Sequence, residues 1–234
     1  MAIFLDTGDL AEIEQYHRMG ILRGVTTNPT ILLKAGVTGG TRGIEQRSKE
    51  IARLIAPLPL SVEVTSTDRN KVFNQARTFA DWADNIVVKV TIHGPEGELE
   101  NLEIIHELET QHDIRVNVTA MMSAQQCVVA AMAGATYVSI FGGRVNNMGY
   151  DVRVEIIKLR AVLDKLQLSA KIIVGSTREV LNIIEWLEAG AHIVTVTPDL
   201  LKGMIIHPYS KETVQQFLRD AAKAEEVAAV GMSG

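Results

Sequence analysis

The sequence predicts an α/β protein, a closed (β/α)8 barrel of the TIM type with an additional C-terminal helix. Three observations carry this expectation. Short β-rich runs alternate with helix-like stretches, the runs number eight, and no glycine-rich dinucleotide fingerprint follows the first of them. Strict alternation favours parallel pairing with helices outside. Eight units favour closure into a barrel, and the missing fingerprint weakens the open doubly wound alternative.

The eight runs are IFLD (3–6), RGVTTN (23–28), LSVEVT (60–65), NIVVKV (85–90), IRVNVT (114–119), TYVSIF (136–141), KIIVGS (171–176) and HIVTVT (192–197). Helical patterns lie at 9–19, 67–82, 98–111, 123–133, 152–166 and 177–189. SAQQCVVAAMAGA opens on the cap Ser123 and closes on Gly134, where a left-handed terminator is expected. STREVLNIIEWLEAG reads the same way, from a cap at its start to Gly190. GVTGGTRG (36–43) reads as a flexible loop. Beyond the eighth strand, 210–227 forms one more amphipathic helix with Val214, Phe217 and Leu218 on one side. The domain reading is a barrel over 1–209, followed by a C-terminal helix and tail over 210–234. The closing GMSG reads as a frayed end.

Composition narrows the class. Of 234 residues, 47% are hydrophobic and 22% charged, which is ordinary for a globular chain with a large core. A net charge of -5 gives no electrostatic footprint for nucleic acid. No apolar run approaches membrane-spanning length, and MAIFLDTGDL lacks the basic and apolar regions of a secretory signal. One cysteine, Cys127, excludes an internal disulfide and fits a reducing cytoplasm. The six histidines show no HExxH motif or comparable pair, so no metal site is expected.

In such a barrel the carboxyl ends of the strands carry the site, and the polar residues gather there. Asp6 ends the first strand, and Thr26, Thr27 and Asn28 follow the second. Glu63 stands on the third, Lys89 on the fourth, and Asn117 and Thr119 on the fifth. Ser139 and then Arg144 follow on the sixth, Ser176 and Arg178 on the seventh, and Thr195 and Thr197 on the eighth. Lys89 interrupts the apolar run Ile86–Val90, where an unpaired charge is costly. Desolvation favours a neutral amine, and a neutral amine attacks a carbonyl to form an iminium. Asp6 and Glu63 are then the candidate acid/base groups. The competing reading has Lys89 snorkelling out of the barrel mouth. Arg144 and Arg178, flanking Ser176, suit a tetrahedral oxyanion. Phosphate and sulfonate present nearly the same oxygens, so both stay open.

Six segments then carry a resemblance: FLDTGD (4–9), GVTTNPT (24–30), NIVVKV (85–90), NVT (117–119), GATYVSIFGGR (134–144) and GSTRE (175–179). Together they resemble the small transaldolase and fructose-6-phosphate aldolase family, from the first strand to the terminal helix. The resemblance implies a class I aldolase barrel, without metal or organic cofactor, that moves a dihydroxyacetone unit between a ketose and an aldehyde. It implies Lys89 as the Schiff-base lysine and Asp6 as the acid/base for carbon–carbon cleavage. Glu63 and Thr119 would hold the catalytic water. Asn28 and Asn117 would bind the dihydroxyacetone hydroxyls, with Thr26 and Ser139 nearby, and Arg144, Ser176 and Arg178 would clamp the anion. Aldolase members carry Gln at position 63 and Tyr at position 141, whereas Glu63 and Phe141 here follow the transaldolase pattern. The family's usual Pro is replaced by Thr91 after the lysine and by Ile140 after Ser139, which leaves the donor sugar open. Fructose 6-phosphate is one donor, as in pentose phosphate chemistry; 6-deoxy-6-sulfofructose, as in sulfosugar breakdown, is another. The acceptor would be erythrose 4-phosphate or glyceraldehyde 3-phosphate. An aldolase releasing free dihydroxyacetone and a non-catalytic sugar-phosphate or sulfonate-binding barrel are the alternatives. The resemblance also implies a homo-oligomer, a pentamer or decamer, with the terminal helix on a neighbouring subunit.

Overall fold

The computed structural model describes residues Ala2–Gly231. Eight parallel strands close into a barrel in sequence order. They are β1 (Ala2–Asp6), β2 (Leu22–Thr26), β3 (Leu60–Glu63), β4 (Ile86–Thr91), β5 (Val116–Met121), β6 (Tyr137–Phe141), β7 (Lys171–Gly175) and β8 (Ile193–Val196). The helices are α1 (Leu10–Arg18), α2 (Pro29–Lys34), α3 (Gly40–Ile55), α4 (Arg69–Ala80), α5 (Glu100–Gln111), α6 (Ala124–Met132), α7 (Gly142–Asn147), α8 (Val152–Lys165), α9 (Val180–Glu188), α10 (Pro198–Ile205) and α11 (Pro208–Gly231). The chain divides into two compact units, Met1–Pro198 and Asp199–Gly234. The whole barrel lies in the first.

Each strand is buried on both faces, as parallel strands under helices must be. Outward residues meet apolar stripes spaced three or four apart, such as Val72, Ala76 and Phe79 on α4 or Ile156, Leu159 and Leu163 on α8. Inward residues fill the lumen in layers. At its base Phe4, Ile173 and Ile193 are buried together, with Tyr137 packed against them. The Phe4 and Tyr137 rings meet edge to face at 6.2 Å. Gly24 makes this layer possible, because a Cβ there would lie 2.6 Å from the Phe4 ring. One pleat further along the strands, the lining turns polar at Asp6, Lys89, Asn117, Ser139 and Thr195.

Several local signals act as expected. Asp9 and Ser123 cap α1 and α6 through their side chains, and Gly134 and Gly190 take positive φ after α6 and α9. Others do not. The stretch 36–43 is not all loop, since α3 already begins at Gly40. The helix within STREVLNIIEWLEAG starts later than its hydroxyl residues suggest. Its N-cap is Glu179, without a side-chain bond, because Thr177 is buried and donates to the Thr195 carbonyl at 2.8 Å. The short helices α7 and α10 carry no sequence signal strong enough to announce them. In the second unit, α11 is longer at both ends than 210–227, and Phe217 and Leu218 are exposed. Of the frayed GMSG end, 232–234 lie outside the described residues. Among the described residues, no helix is long and apolar enough to cross a membrane.

Where β7 and β8 meet, the chain holds a histidine in its neutral form. His192 Nδ1 accepts the Ile172 backbone N–H at 3.0 Å, a bond that the doubly protonated ring cannot make. Burial, followed by the Arg160 and Lys171 charges, lowers its pKa to about 4. The unfolded chain therefore takes up this proton near pH 6.5 while the folded chain refuses it until about pH 4. The contribution is intact above pH 6.5 and is lost on acidification toward 4. His192→Asn keeps an acceptor near the Nδ1 position without the titration. Thermal unfolding followed across that range should show a steeper loss of melting temperature for the native chain than for this variant.

Candidate active site

Each residue of the TTNP segment at the end of β2 has its own contacts. Thr26 Oγ1 donates to Asp6 Oδ1 at 2.6 Å and lies 2.5 Å from Thr195 Oγ1. Thr27 hangs its hydroxyl on the Ser61 carbonyl at 2.9 Å, and its own carbonyl accepts from Lys89 Nζ at 3.0 Å. Asn28 Oδ1 caps α2 by accepting the Ile31 N–H at 2.9 Å, and Pro29 occupies the first helical turn, where its missing N–H costs nothing. The preceding β1–α1 turn is clamped from outside. Arg47 of α3 donates to the Gly8 carbonyl at 2.5 Å, and a Cβ on Gly8 would sit 3.0 Å from Leu32.

Lys89 is 6% exposed. The β3–β4 register sets Glu63 beside it, and Glu63 Oε2 lies 2.9 Å from Nζ. The lysine therefore does not snorkel to solvent; it is paired inside the barrel. On the other side, register sets Asn117 beside Lys89. Asn117 Nδ2 donates to Ser61 Oγ at 3.1 Å and its Oδ1 accepts from Ser139 at 2.6 Å, which fixes the orientation of the amide. Thr119 Oγ1 is buried with no partner among the described residues. Just beyond it, Ala120 takes a left-handed φ of 61° where the ladder to β6 shifts register.

The carboxyl of Asp6 stands above the usual carboxylate range. Burial is the main cause and Glu63 adds to it; the Thr26 hydroxyl and the Lys89 charge act in the opposite direction. Two carboxylates thus face one ammonium in different surroundings, the first hydrogen-bonded by a hydroxyl and the second ion-paired.

The arginines come together through a glycine. A Cβ on Gly143 would run into the Ser176 carbonyl oxygen and lie 2.9 Å from Arg178 Cγ, so the start of α7 and the turn after β7 touch backbone to backbone. Ser176 itself takes a left-handed φ of 59°. Arg144 lies over the Phe141 ring, 5.2 Å from its centroid, and both arginines are exposed.

A cavity of about 570 Å³ is lined by eleven of the twelve residues that the family resemblance singles out: Asp6, Thr26, Asn28, Lys89, Asn117, Thr119, Ser139, Phe141, Arg144, Ser176 and Arg178. Glu63 joins through its pair with Lys89. Sequence reasoning missed Ser61, although it stands two residues before Glu63 on the same face of β3. It noticed Thr195 without giving it work. It also passed over Glu12 and Lys34, which widen the cavity toward α1 and α2; nothing in their helical setting distinguishes them from surface charges.

Known proteins match this chain in sequence, and others match the barrel in fold. The family model described as Transaldolase/Fructose-6-phosphate aldolase matches residues 3–233. The chain belongs to that family of enzymes. A "Probable transaldolase 2" of Listeria monocytogenes is 40% identical over 220 residues, covering 94% of this chain and 95% of the relative. A "Probable transaldolase" of Herpetosiphon aurantiacus is 34% identical over 230 residues, covering 98% and 99%. Solved structures share the fold alone. Thiamine phosphate pyrophosphorylase from Pyrococcus furiosus superposes with TM-score 0.58 at 12% identity, covering 84% of this chain and 85% of that one. A soluble mutant of (S)-mandelate dehydrogenase from Pseudomonas putida gives 0.56 at 12%, covering 86% and 67%.

The close approach at Gly143 can be tested directly. Gly143→Ala should push the two arginine-bearing turns apart; with Arg144 and Arg178 clamping an anion, as the resemblance implies, it should weaken binding of inorganic phosphate about tenfold, the loss of roughly one charge-assisted hydrogen bond. Phosphate titration by NMR reads the affinity, and far-UV dichroism should show the barrel intact.

Proposed function

We propose that this enzyme is a transaldolase, transferring a dihydroxyacetone unit through a Schiff base on Lys89 from a ketose carrying a terminal anion to a phosphorylated aldose. The observation that carries this reading is the buried Lys89, paired with Glu63 at 2.9 Å in a cavity shared with Asp6 and walled by Arg144 and Arg178. The donor is fructose 6-phosphate or 6-deoxy-6-sulfofructose, and the acceptor is erythrose 4-phosphate or glyceraldehyde 3-phosphate.

The chemistry follows from the groups at hand. Glu63 is in contact with Nζ and takes its proton, so the amine can attack the ketose C2. Loss of water leaves an iminium, which draws electrons toward nitrogen. Asp6 as carboxylate removes the C4 hydroxyl proton, the C3–C4 bond breaks, its electron pair forms an enamine, and the C4 fragment leaves as an aldehyde. A raised carboxyl pKa suits Asp6 to this exchange, because an acid/base works best when its pKa approaches the working pH. The second aldehyde takes the enamine carbon, Asp6 returns its proton to the new alkoxide, and water releases the ketose. Glu63 and the unpartnered Thr119 hydroxyl are suited to hold that water. Asn117, with its amide orientation fixed, and Asn28 suit the dihydroxyacetone hydroxyls, with Thr26 and Ser139 beside them. Arg144, Ser176 and Arg178 suit the distal phosphate or sulfonate. Phe141 has no phenol to protonate the enamine, which therefore persists until an acceptor arrives. The exposed Phe217 and Leu218 support a homo-oligomer in which α11 packs on a neighbouring copy.

Borohydride added with fructose 6-phosphate should leave a reduced adduct on the peptide bearing Lys89, and the Lys89→Met protein should give none. A native enzyme that yields no adduct under those conditions would return the barrel to binding alone. Turnover of fructose 6-phosphate should require erythrose 4-phosphate. Equal cleavage without acceptor would make the enzyme an aldolase, and substitution of sulfofructose as donor would decide between the two anions.

A further inference from the structure

We propose that Thr195 is a positioning residue for Asp6, acting through Thr26 as a two-hydroxyl relay that fixes which carboxylate oxygen exchanges protons. The inference deepens the Schiff-base reading and rests on it for the role of Asp6.

Thr195 stands on β8 and Thr26 on β2, with β1 between them. The Thr195 methyl lies over Gly175, 3.4 Å from where a Cβ would stand, while its hydroxyl reaches Thr26 Oγ1 at 2.5 Å. Thr26 Oγ1 in turn meets Asp6 Oδ1 at 2.6 Å. Each hydroxyl has one hydrogen to give. An ionised Asp6 can only accept, so Thr26 gives its hydrogen to Oδ1, and Thr195 must then donate to Thr26. The two threonines are 3% and 7% exposed, and both line the cavity beside Asp6.

The opposite order is less favourable at its end. A proton on Oδ1 would turn Thr26 toward Thr195, and the Thr195 hydroxyl has no other partner among the described residues. That hydrogen would then have to turn into the cavity, away from any fixed protein acceptor, which the first order avoids. The relay thus keeps Oδ1 as an acceptor and leaves Oδ2 to collect and return the substrate proton. Linked hydroxyls also polarise one another, so the outer bond strengthens the inner one. The other charges facing Asp6 are Lys89 from β4, which favours its ionised form, and Glu63 from β3, which opposes it. Asp9, Glu12, Lys34, Arg144 and Arg178 share the cavity without bonding to Asp6.

The test compares Thr195→Val, which keeps the shape, with Thr195→Ser, which keeps the hydroxyl. Asp6 acts as base in its ionised form, so activity rises as pH passes its pKa. Removing a donor from a carboxylate relay raises that pKa, so the acid limb should move to higher pH. In Thr195→Val the limb of kcat/KM should rise by about half a unit to one unit, with kcat several-fold lower and KM little changed. Thr195→Ser should hold the limb in place. Lys89 should still trap substrate with borohydride in both variants. An unchanged limb in Thr195→Val, with activity lost evenly at all pH values, would overturn the relay. If the native enzyme itself traps nothing, the Schiff-base reading fails instead, and the two failures are distinct. A carbon NMR titration of the Asp6 carboxyl in Thr195→Ala reads the same shift without turnover, and a carboxyl titrating as in the native chain would also overturn the relay.

Discussion

An ammonium group held inside a ring of apolar strands is stable only while an anion and polar acceptors hold it there. Here the anion is Glu63 and the neutral acceptor is the Thr27 carbonyl. Removing one partner from such a buried pair costs about 3–5 kcal/mol, because the remaining charge stands uncompensated. Much of the local architecture serves this pair. The β3–β4 register sets the two side chains next to each other, and the Thr27 hydroxyl fixes its strand end to Ser61. A slip of one residue in either strand would turn lysine or glutamate toward the helices.

The two carboxylates around Lys89 place one chemical group in two environments. Glu63 is bound directly to the nitrogen and is partly open to solvent. Asp6 is held by a hydroxyl at one oxygen, and burial raises its pKa. The polar belt of Ser61, Asn117 and Ser139 runs across the lumen beside them, with each side chain bonded to the next. Such a network holds its members in one arrangement before any ligand enters, which is the preorganisation that electrostatic catalysis requires.

The strands were legible because parallel barrel strands are short, β-branched and bounded by turn residues, and the barrel-end rule then gathered the site residues without any distance. What the sequence concealed has physical causes. The first turn of α3 is Gly40–Gly43, which lacks helix propensity; the buried Ile51, Ala52 and Ile55 further along the helix anchor it to the barrel. Thr177 looks like a cap, but a buried carbonyl claims its hydroxyl. Ser61 escaped, and Thr195 was noticed without a role, because threonine and serine are common packing residues in strands. Only the closing of the barrel, which brings β8 and β2 to either side of β1, gives Thr195 something to reach. Gly143 likewise gains meaning only when the turn after β7 is seen against it.

The Phe4, Tyr137, Ile173 and Ile193 layer beneath the polar belt has a kinetic consequence. It closes the lumen beneath the polar belt, so under the proposed transfer the departing fragment and its replacement would both pass through the cavity bounded by Arg144 and Arg178. Under that reading donor and acceptor would take turns in one chamber, and an excess of either would hinder the other.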